Sequence, residues 1–223
     1  SNHGAVISNN KFMNNIISDV GGGYEIDAAN LTSATAFDYN LYYNSVRTNK
    51  WRWNGINYTA FSGWKTASGQ DAHGVNSDPL FVNGGARDFH LQNTSPAVNA
   101  GGFLTSTVGS GTNSTTIVVA DPYWFTDGYG LDAGDAIQLA GQTASAVITA
   151  INYVSGTLTL SSPLTWANGQ GVAFAYSGSA PDIGVYEYAG AASNSADVNN
   201  DGFVNIQDIQ IVVKVITGTL TNS

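Results

Sequence analysis

The residues best suited to chemistry form a twelve-residue run of oxygen ligands at residues 197–208. Side chains with oxygen atoms stand at the first, third, fifth, ninth and twelfth positions, and Gly202 stands at the sixth, where such a loop turns most sharply. Ca²⁺ takes about six to eight oxygen ligands, and a backbone carbonyl at the seventh position adds to the side chains. The sequence therefore predicts a calcium site whose ligands are Asp197, Asn199, Asp201, the carbonyl of Phe203, Asn205 and Asp208.

An apolar stripe follows this loop and predicts one helix, from Ile206 to about residue 216. Loop and helix together resemble one repeat of a type I dockerin, the calcium-dependent module that attaches secreted carbohydrate-active proteins to cohesins. The resemblance covers about residues 196–218 and implies Ca²⁺ and a cohesin-like partner. No second repeat is present to cover the stripe, so we expect it to face a neighbouring molecule through Ile209, Val213 and Ile216.

Carboxylates and basic residues in the first 65 residues are the only catalytic candidates. Glu25 and Asp27 would share one face of a strand, and glycosidases use two carboxyl groups about 5–10 Å apart. Polysaccharide lyases use a basic residue, and five are available: Lys11, Arg47, Lys50, Arg52 and Lys65. The alternative is a solvated strand face with salt bridges. Because no position matches a catalytic motif, we predict no catalytic residue in this chain, and the separated His3, His73 and His90 predict no zinc site.

Aromatic residues crowd the stretch between residues 42 and 64. Flat rings stack on the faces of sugars, which makes Tyr43, Trp51, Trp53 and Trp64 candidate glycan contacts. The alternative is that these rings pack together as a hydrophobic cap, because a large aromatic side chain buries roughly 150–250 Å². Alternation along Trp51, Arg52 and Trp53 puts both indoles on one side of a strand, which either interpretation requires.

Composition limits the classes of partner. Lys and Arg number 7 against 16 Asp and Glu, a net charge of −9, and Lys214 is the only Lys or Arg after Arg87. Nucleic-acid binding requires clustered basic residues, so we predict no nucleic-acid partner. No apolar run is long enough for a membrane span. The chain has no Cys and only 10% charged residues, a composition typical of β-rich extracellular proteins.

Short apolar runs punctuated by Asn- and Gly-rich turns predict short strands throughout residues 1–100. Asn residues recur near the strand ends, which predicts hydrogen-bonded ladders of side-chain amides. Several segments resemble, in order, the end of a right-handed parallel β-helix related to pectate lyases: residues 37–44, 61–64, 69–74, 77–81, 88–92, 95–101 and 181–188. The resemblance implies a β-helix end over residues 1–104, closed by residues 180–188.

An insertion of different character separates these segments. Residues 105–179 contain no Lys or Arg and show five β-runs, at residues 115–119, 135–139, 146–151, 156–160 and 171–176. We predict a small antiparallel barrel or sandwich here. Residues 189–195 are predicted to be a linker, and residues 196–223 the calcium module. The predicted fold is thus all-β: terminal β-helix coils, an inserted barrel and a loop–helix calcium module.

Three functions remain open from the sequence. The first is a non-catalytic, calcium-binding part of an extracellular, carbohydrate-associated protein that serves attachment or assembly. The second is a structural subunit of an extracellular filament or cell-surface layer that self-associates head to tail. The third is a polysaccharide lyase or glycoside hydrolase whose active site lies in coils outside this sequence. The first coil is expected to expose Val6, Ile7 and Phe12, to be covered by further coils or by another subunit.

Overall fold

The computed structural model describes residues 10–28, 35–48 and 50–188. These residues form sixteen strands, one α-helix and three short 3-10 helices, so the predicted all-β class is confirmed. The first ten strands are β1 (Lys11–Met13), β2 (Ile16–Ser18), β3 (Ile26–Ala28), β4 (Ala36–Asp38), β5 (Leu41–Tyr43), β6 (Trp51–Trp53), β7 (Ile56–Tyr58), β8 (Val75–Asn76), β9 (Phe81–Asn83) and β10 (Asp88–Leu91). The others are β11 (Thr105–Ser106), β12 (Gly111–Val118), β13 (Ala136–Leu139), β14 (Ser145–Asn152), β15 (Thr157–Trp166) and β16 (Gly171–Phe174).

The first ten strands form four small sheets. β1 pairs with β4 in parallel, and β2, β5 and β8 form a parallel sheet of three strands. β3 pairs in parallel with β6, which also forms an antiparallel hairpin with β7, and β9 pairs antiparallel with β10. Polar side chains join neighbouring strand ends, as the Asn pattern predicts: the amide of Asn15 donates to Asn40 at 3.0 Å, and that of Asn40 donates to Asp71 at 2.9 Å.

The resemblance to a parallel β-helix is wrong. Parallel pairing is confined to strands of two or three residues in sheets of two or three strands, and antiparallel hairpins interrupt it. A β-helix requires coil after coil to pair in one continuous parallel sheet, because each coil buries its apolar faces only against its neighbours. The largest sheet of the described residues is instead antiparallel, and most of the long strands lie there.

That sheet has six strands in the order β11, β16, β13, β14, β15 and β12. The sheet curls so that its two end strands, β11 and β12, come together. Val108 N–H, just after β11, donates to the carbonyl of Val118, and Ala120 N–H donates to that of Ser106. Alternating residues point inward and form a core centred on fully buried Ile117, Ile137 and Ile148. We call this unit the curled sheet; it contains all five β-runs predicted between residues 105 and 179.

Two further cores lie among the small sheets. Phe37, Tyr42, Trp51 and Trp64 form an aromatic core, and Trp64 reaches it from the only α-helix of the described residues, α1 (Phe61–Ser68). This helix ends at Gly69, whose φ of 67° allows the left-handed turn that returns its N–H to the carbonyl of Lys65. Neither α1 nor the 3-10 helices of the described residues have the length and apolar character that crossing a membrane requires.

The third core joins segments that are distant in sequence. Leu41, Leu91, Ala97 and Ile183 pack together. Residues 181–188 leave the curled sheet and return to the segment before it: Gly101 N–H donates to the carbonyl of Pro181 at 2.7 Å, and Ile183 N–H donates to that of Ala97 at 2.9 Å. The predicted linker at 189–195 and the predicted calcium module at 196–223 lie outside the described residues.

Candidate functional site

An open groove of about 500 Å³ lies among the described residues. Three separate segments line it: residues 14–18 around β2, residues 81–91 from the β9–β10 hairpin, and residues 183–186 after the curled sheet. Buried Ile183 and Leu91 are among its apolar lining residues, whereas Asn14, Asn15 and Ser18 provide polar groups. We call this the aromatic groove, after Phe81, Phe89 and Tyr186 on its wall.

The hairpin presents two of these rings. Phe81 on β9 and Phe89 on β10 make an edge-to-face contact with centroids 5.2 Å apart, and Phe89 keeps 41% of its surface exposed. The turn between them is the 3-10 helix Gly84–Ala86, in which the Asn83 side chain accepts a hydrogen bond from Ala86 N–H. Gln92 holds the hairpin base by donating to the carbonyl of Phe81 at 2.9 Å. The rings are therefore fixed on paired strands rather than on a free loop.

The third ring, that of Tyr186, is fixed by a stack. His90 lies against it with centroids 4.1 Å apart and planes 15° from parallel, and Tyr186 still keeps 43% exposure. Asp88 orients His90 through a 2.6 Å contact with Nδ1, and this hydrogen bond lowers the pKa of Asp88. The turn before Tyr186 is held by Asp182, which accepts hydrogen bonds from the N–H groups of Asn99 and Tyr188.

A smaller, acidic cavity of about 260 Å³ adjoins the aromatic groove, with which it shares Ser18 and Phe81. Its walls include Asp19, Asp78 and Tyr43. Backbone and side-chain hydrogen bonds from Ser45, each 2.7 Å long, lower the pKa of Asp19. A hydrogen bond to Asp78 raises the pKa of the Tyr43 hydroxyl. The cavity thus presents oriented carboxylate and hydroxyl oxygens beside the aromatic wall.

The two cavities present groups that are suited to binding a ligand. Rings and apolar floor residues suit the C–H faces of a ligand, and amide, hydroxyl and carboxylate groups suit its hydroxyl groups. Lys, Arg and His are absent among the described residues that line either cavity. The basic residue that a polysaccharide lyase uses to abstract a proton is therefore not among these lining residues. Elsewhere in the described ranges, no three His, Asp or Glu side chains gather as a metal site.

The two carboxylates that the sequence singles out lie away from the groove, in two ion pairs. Glu25 is buried and accepts hydrogen bonds from Arg47, at 2.9 Å, and from the backbone N–H of Lys50. Asp27 forms a two-pronged pair with Arg52 on the exposed face. These contacts match the salt-bridge alternative rather than catalysis, because both carboxylates are already engaged by a neighbouring cation.

Two of the four predicted glycan contacts are corrected by the structure. Trp51 and Trp64 have 0% exposure inside the aromatic core, so neither has a ring face free for a sugar. Trp53 is half-buried against the same core. Tyr43 is the exception, because it lies on the wall of the acidic cavity. The hydrophobic-cap interpretation of the indoles was therefore the better one, since burying large rings outweighs leaving them in water.

The predicted assembly and calcium residues are mostly beyond the described ranges. Phe12 is 47% exposed and stacks on Phe37 at 4.9 Å. Val6 and Ile7, the helix stripe of Ile209, Val213 and Ile216, and the ligands Asp197, Asn199, Asp201, Phe203, Asn205 and Asp208 all lie outside the described residues. Self-association and calcium binding through them stay predictions.

The sequence does not predict the groove, because its aromatic residues do not form a recognisable local pattern. Phe89 and Tyr186 stand alone in sequence, outside the crowded stretch between residues 42 and 64. The one available signal was the alternation in residues 88–91, which puts Phe89 and Leu91 on one face of a strand.

Comparisons with known proteins add no family: no family model, no curated protein and no solved structure matches this chain. The resemblance to a dockerin has no support from these comparisons, and the resemblance to a pectate-lyase-like β-helix is overturned by the sheet topology. The chemistry of the two cavities is therefore the basis for assigning a function.

A buried carboxylate near the small sheets yields a prediction about pH. Asp71 is fully buried and accepts hydrogen bonds from the Asn40 amide and, at 2.5 Å, from the Tyr42 hydroxyl. No salt bridge among the described residues includes it. Burial raises its pKa, so the folded protein holds this proton more tightly than the unfolded chain, and Asp71 favours folding below its unfolded pKa. That contribution is lost as pH rises through the raised pKa.

We therefore expect Asp71→Asn, which removes the ionisation, to gain stability relative to the parent as pH increases. Urea unfolding followed by circular dichroism at pH 4 and pH 7 gives the difference in unfolding free energy between variant and parent. This difference should favour the variant more at pH 7 than at pH 4. The exposed Asp132→Asn serves as the matched control and should show little change. A difference for Asp71→Asn that falls with rising pH contradicts the assignment.

Proposed function

We propose that this protein is a non-catalytic, polysaccharide-binding part of an extracellular protein, with the aromatic groove and the acidic cavity as its binding surface. The observation that carries the proposal is the set of three rings, Phe81, Phe89 and Tyr186, that line one open groove together with polar groups. Sugars combine apolar ring faces with dense hydroxyl groups, and an open groove admits a chain at any point along its length. The same lining holds none of the Lys, Arg or His side chains that a polysaccharide lyase would use.

The charge of the lining indicates which polysaccharide fits. Asp19 and Asp78 stand at one end of the combined surface, without Lys, Arg or His among the described lining residues. A uronate polymer would meet like charges there, which is unfavourable at short distance. The supported ligand is a neutral polysaccharide, whose hydroxyl groups can donate to these carboxylates.

Calcium belongs to the proposal as a separate element. The loop at residues 197–208 has oxygen ligands at the required spacing and a glycine at the turn. Binding of Ca²⁺ there would order the apolar segment that follows, because an isolated helix of about eleven residues is marginal. Its role in attachment is an inference from the sequence.

The binding test uses the whole chain in native electrophoresis through gels containing a soluble polysaccharide. The neutral panel is hydroxyethylcellulose, laminarin, galactomannan and arabinoxylan, and polygalacturonate is the charged counterpart. We expect retardation by at least one neutral polymer, with no shortening of that polymer on prolonged incubation. Phe89→Ala and Tyr186→Ala should each weaken binding on the order of tenfold, since anchoring aromatics dominate such contacts.

The matched control is Phe174→Ala, because Phe174 is similarly exposed, at 46%, but lies outside both cavities. It should bind like the parent. The proposal is rejected if none of the four neutral polymers retards the parent, or if the groove variants bind as tightly as the control. Release of reducing ends or unsaturated uronates by the parent would instead assign an enzymatic function.

A further inference from the structure

A second aromatic surface lies on the curled sheet, away from the residues that line the groove. Tyr123 and Tyr129 are 77% and 73% exposed. The ring of Tyr123 stacks on Tyr153 with centroids 5.3 Å apart and planes 22° from parallel. Tyr153 in turn donates to the carbonyl of Phe125 at 3.0 Å, and its hydrogen bond with Tyr129 raises its pKa to about 12. These three residues, which we call the tyrosine platform, are thus linked to one another.

The backbone that carries Tyr129 has an unusual conformation. Gly128, Tyr129 and Gly130 have successive φ values of 76°, 52° and 70°, in the left-handed region. A residue other than glycine is strained there, so the surrounding structure must hold it. Asp127 does so, because its two carboxylate oxygens accept hydrogen bonds from Tyr129 N–H at 3.0 Å and Ile151 N–H at 3.2 Å. The loop presents a large aromatic ring to solvent at a cost in backbone strain.

Hydrogen bonds hold the backbone that carries the exposed rings, which favours binding. Asp135, the residue before β13, accepts a hydrogen bond from Thr126 N–H at 2.7 Å and so ties the loop to that strand. A methyl group on Gly128 would come within 2.9 Å of the Ala133 backbone, so the turn is closely packed on this side. Rings that are already ordered lose little entropy when a ligand stacks on them.

The charge near the platform decides what kind of ligand suits it. No Lys or Arg occurs between residues 88 and 213, whereas Asp121, Asp127, Asp132 and Asp135 lie in the platform's own segment. Asp121 is paired with Lys11 at 2.5 Å, and Asp127 and Asp135 are occupied with backbone N–H groups. An anionic polymer would be repelled, and a membrane surface with anionic headgroups would be repelled as well.

We propose that the tyrosine platform is a second contact surface for a neutral polysaccharide, with the faces of Tyr123 and Tyr129 as its stacking positions. This inference rests on the proposed function, because the same class of ligand is bound. A polymer that reaches both surfaces gains affinity through effective concentration, since the second contact forms within an existing complex. The tyrosine hydroxyl groups supply hydrogen bonds at the edge of each ring.

The test is native electrophoresis of the whole chain through the same neutral panel and through polygalacturonate. The double variant Tyr123→Ala/Tyr129→Ala is compared with Leu131→Ala, which removes a neighbouring apolar side chain that is 92% exposed. Alanine at position 129 retains the Cβ atom, so the left-handed strain is largely unchanged. We expect the double variant to bind the retarding neutral polymer at least about tenfold more weakly, and Leu131→Ala to bind within twofold of the parent.

The outcomes separate this inference from the groove. If Phe89→Ala and Tyr186→Ala weaken binding but the double tyrosine variant does not, the proposal for the tyrosine platform is rejected and the proposal for the aromatic groove is supported. If only the tyrosine variant weakens binding, the platform stands and the groove proposal fails. A parent that binds no neutral polymer overturns both. A double variant that loses only self-association in sedimentation velocity, with glycan binding intact, identifies a protein interface and overturns the inference.

Discussion

Trp64→Ala is expected to lower the free energy of unfolding by about 3–5 kcal/mol, the usual cost of truncating a fully buried tryptophan. Trp64 has 0% exposure and is the residue by which α1 reaches the aromatic core. Its ring lies 6.0 Å from Phe61, 6.2 Å from Tyr42 and 6.4 Å from Trp51, centroid to centroid. Removing it leaves a cavity between helix and strands that the rings around it cannot close.

Two controls separate lost volume from other effects. Trp53→Ala removes a half-buried indole at the margin of the same core and should cost clearly less. Trp64→Phe keeps much of the volume and removes an indole N–H that has no hydrogen-bond partner among the described residues, so it should also cost less than alanine. Denaturant unfolding followed by far-ultraviolet circular dichroism avoids the change in tryptophan fluorescence. A loss below about 1 kcal/mol for Trp64→Ala would show that the aromatic core does not hold the small sheets.

Asp201→Ala is expected to weaken calcium binding on the order of 100-fold, because loops of this kind vary in affinity over several orders of magnitude with the charge of their ligands. The sequence places Asp201 at the fifth position of the predicted calcium loop. Isothermal titration of the chelator-stripped whole chain measures the affinity. We expect one Ca²⁺ per chain in the parent, and a higher thermal midpoint when it is bound, since a ligand that binds only the folded state stabilises it.

The matched control lies in the same loop. Asn200 occupies the fourth position, which provides no ligand in this arrangement, so Asn200→Ala should bind calcium like the parent. Asp197→Ala, at the first position, should behave like Asp201→Ala. Equal affinities in Asn200→Ala and Asp201→Ala, or the absence of calcium binding in the parent, would remove the cation from the proposed function.

Local pattern was sufficient for the class of fold. Runs of β-branched and apolar residues between turn residues favour strands, so residues 115–119, 146–151 and 156–160 could be recognised as β without knowledge of their partners. They coincide, to within one residue, with parts of β12, β14 and β15. The salt bridges of Glu25 and Asp27 were the alternative to catalysis, because carboxylates and basic residues are both frequent in the first 65 residues; Asp27 pairs with Arg52 on the neighbouring strand β6.

Local pattern was not sufficient for topology. Strands of three residues, such as β1 and β4, look the same whether they continue into many coils or stop after one pair, so the β-helix resemblance could not be checked along the sequence. The burial of Trp51 and Trp64 could not be predicted for the same reason. A Trp that binds a sugar and a Trp that packs in a core look alike in the sequence. Only the structure, in which α1 packs on the strands around these rings, distinguishes the two.

By itself, the sequence determined the β-rich class, the near absence of Lys and Arg after Arg87, and the oxygen spacing of the predicted calcium loop. Each of these depends on composition or on residues that are close together in the chain. The tertiary structure alone decided the aromatic groove and the tyrosine platform. Phe89 and Tyr186 are nearly a hundred positions apart and share a wall only because residues 181–188 return from the curled sheet to pack on Ala97 and Gly101. Such contacts follow from packing between distant segments, which no local pattern encodes.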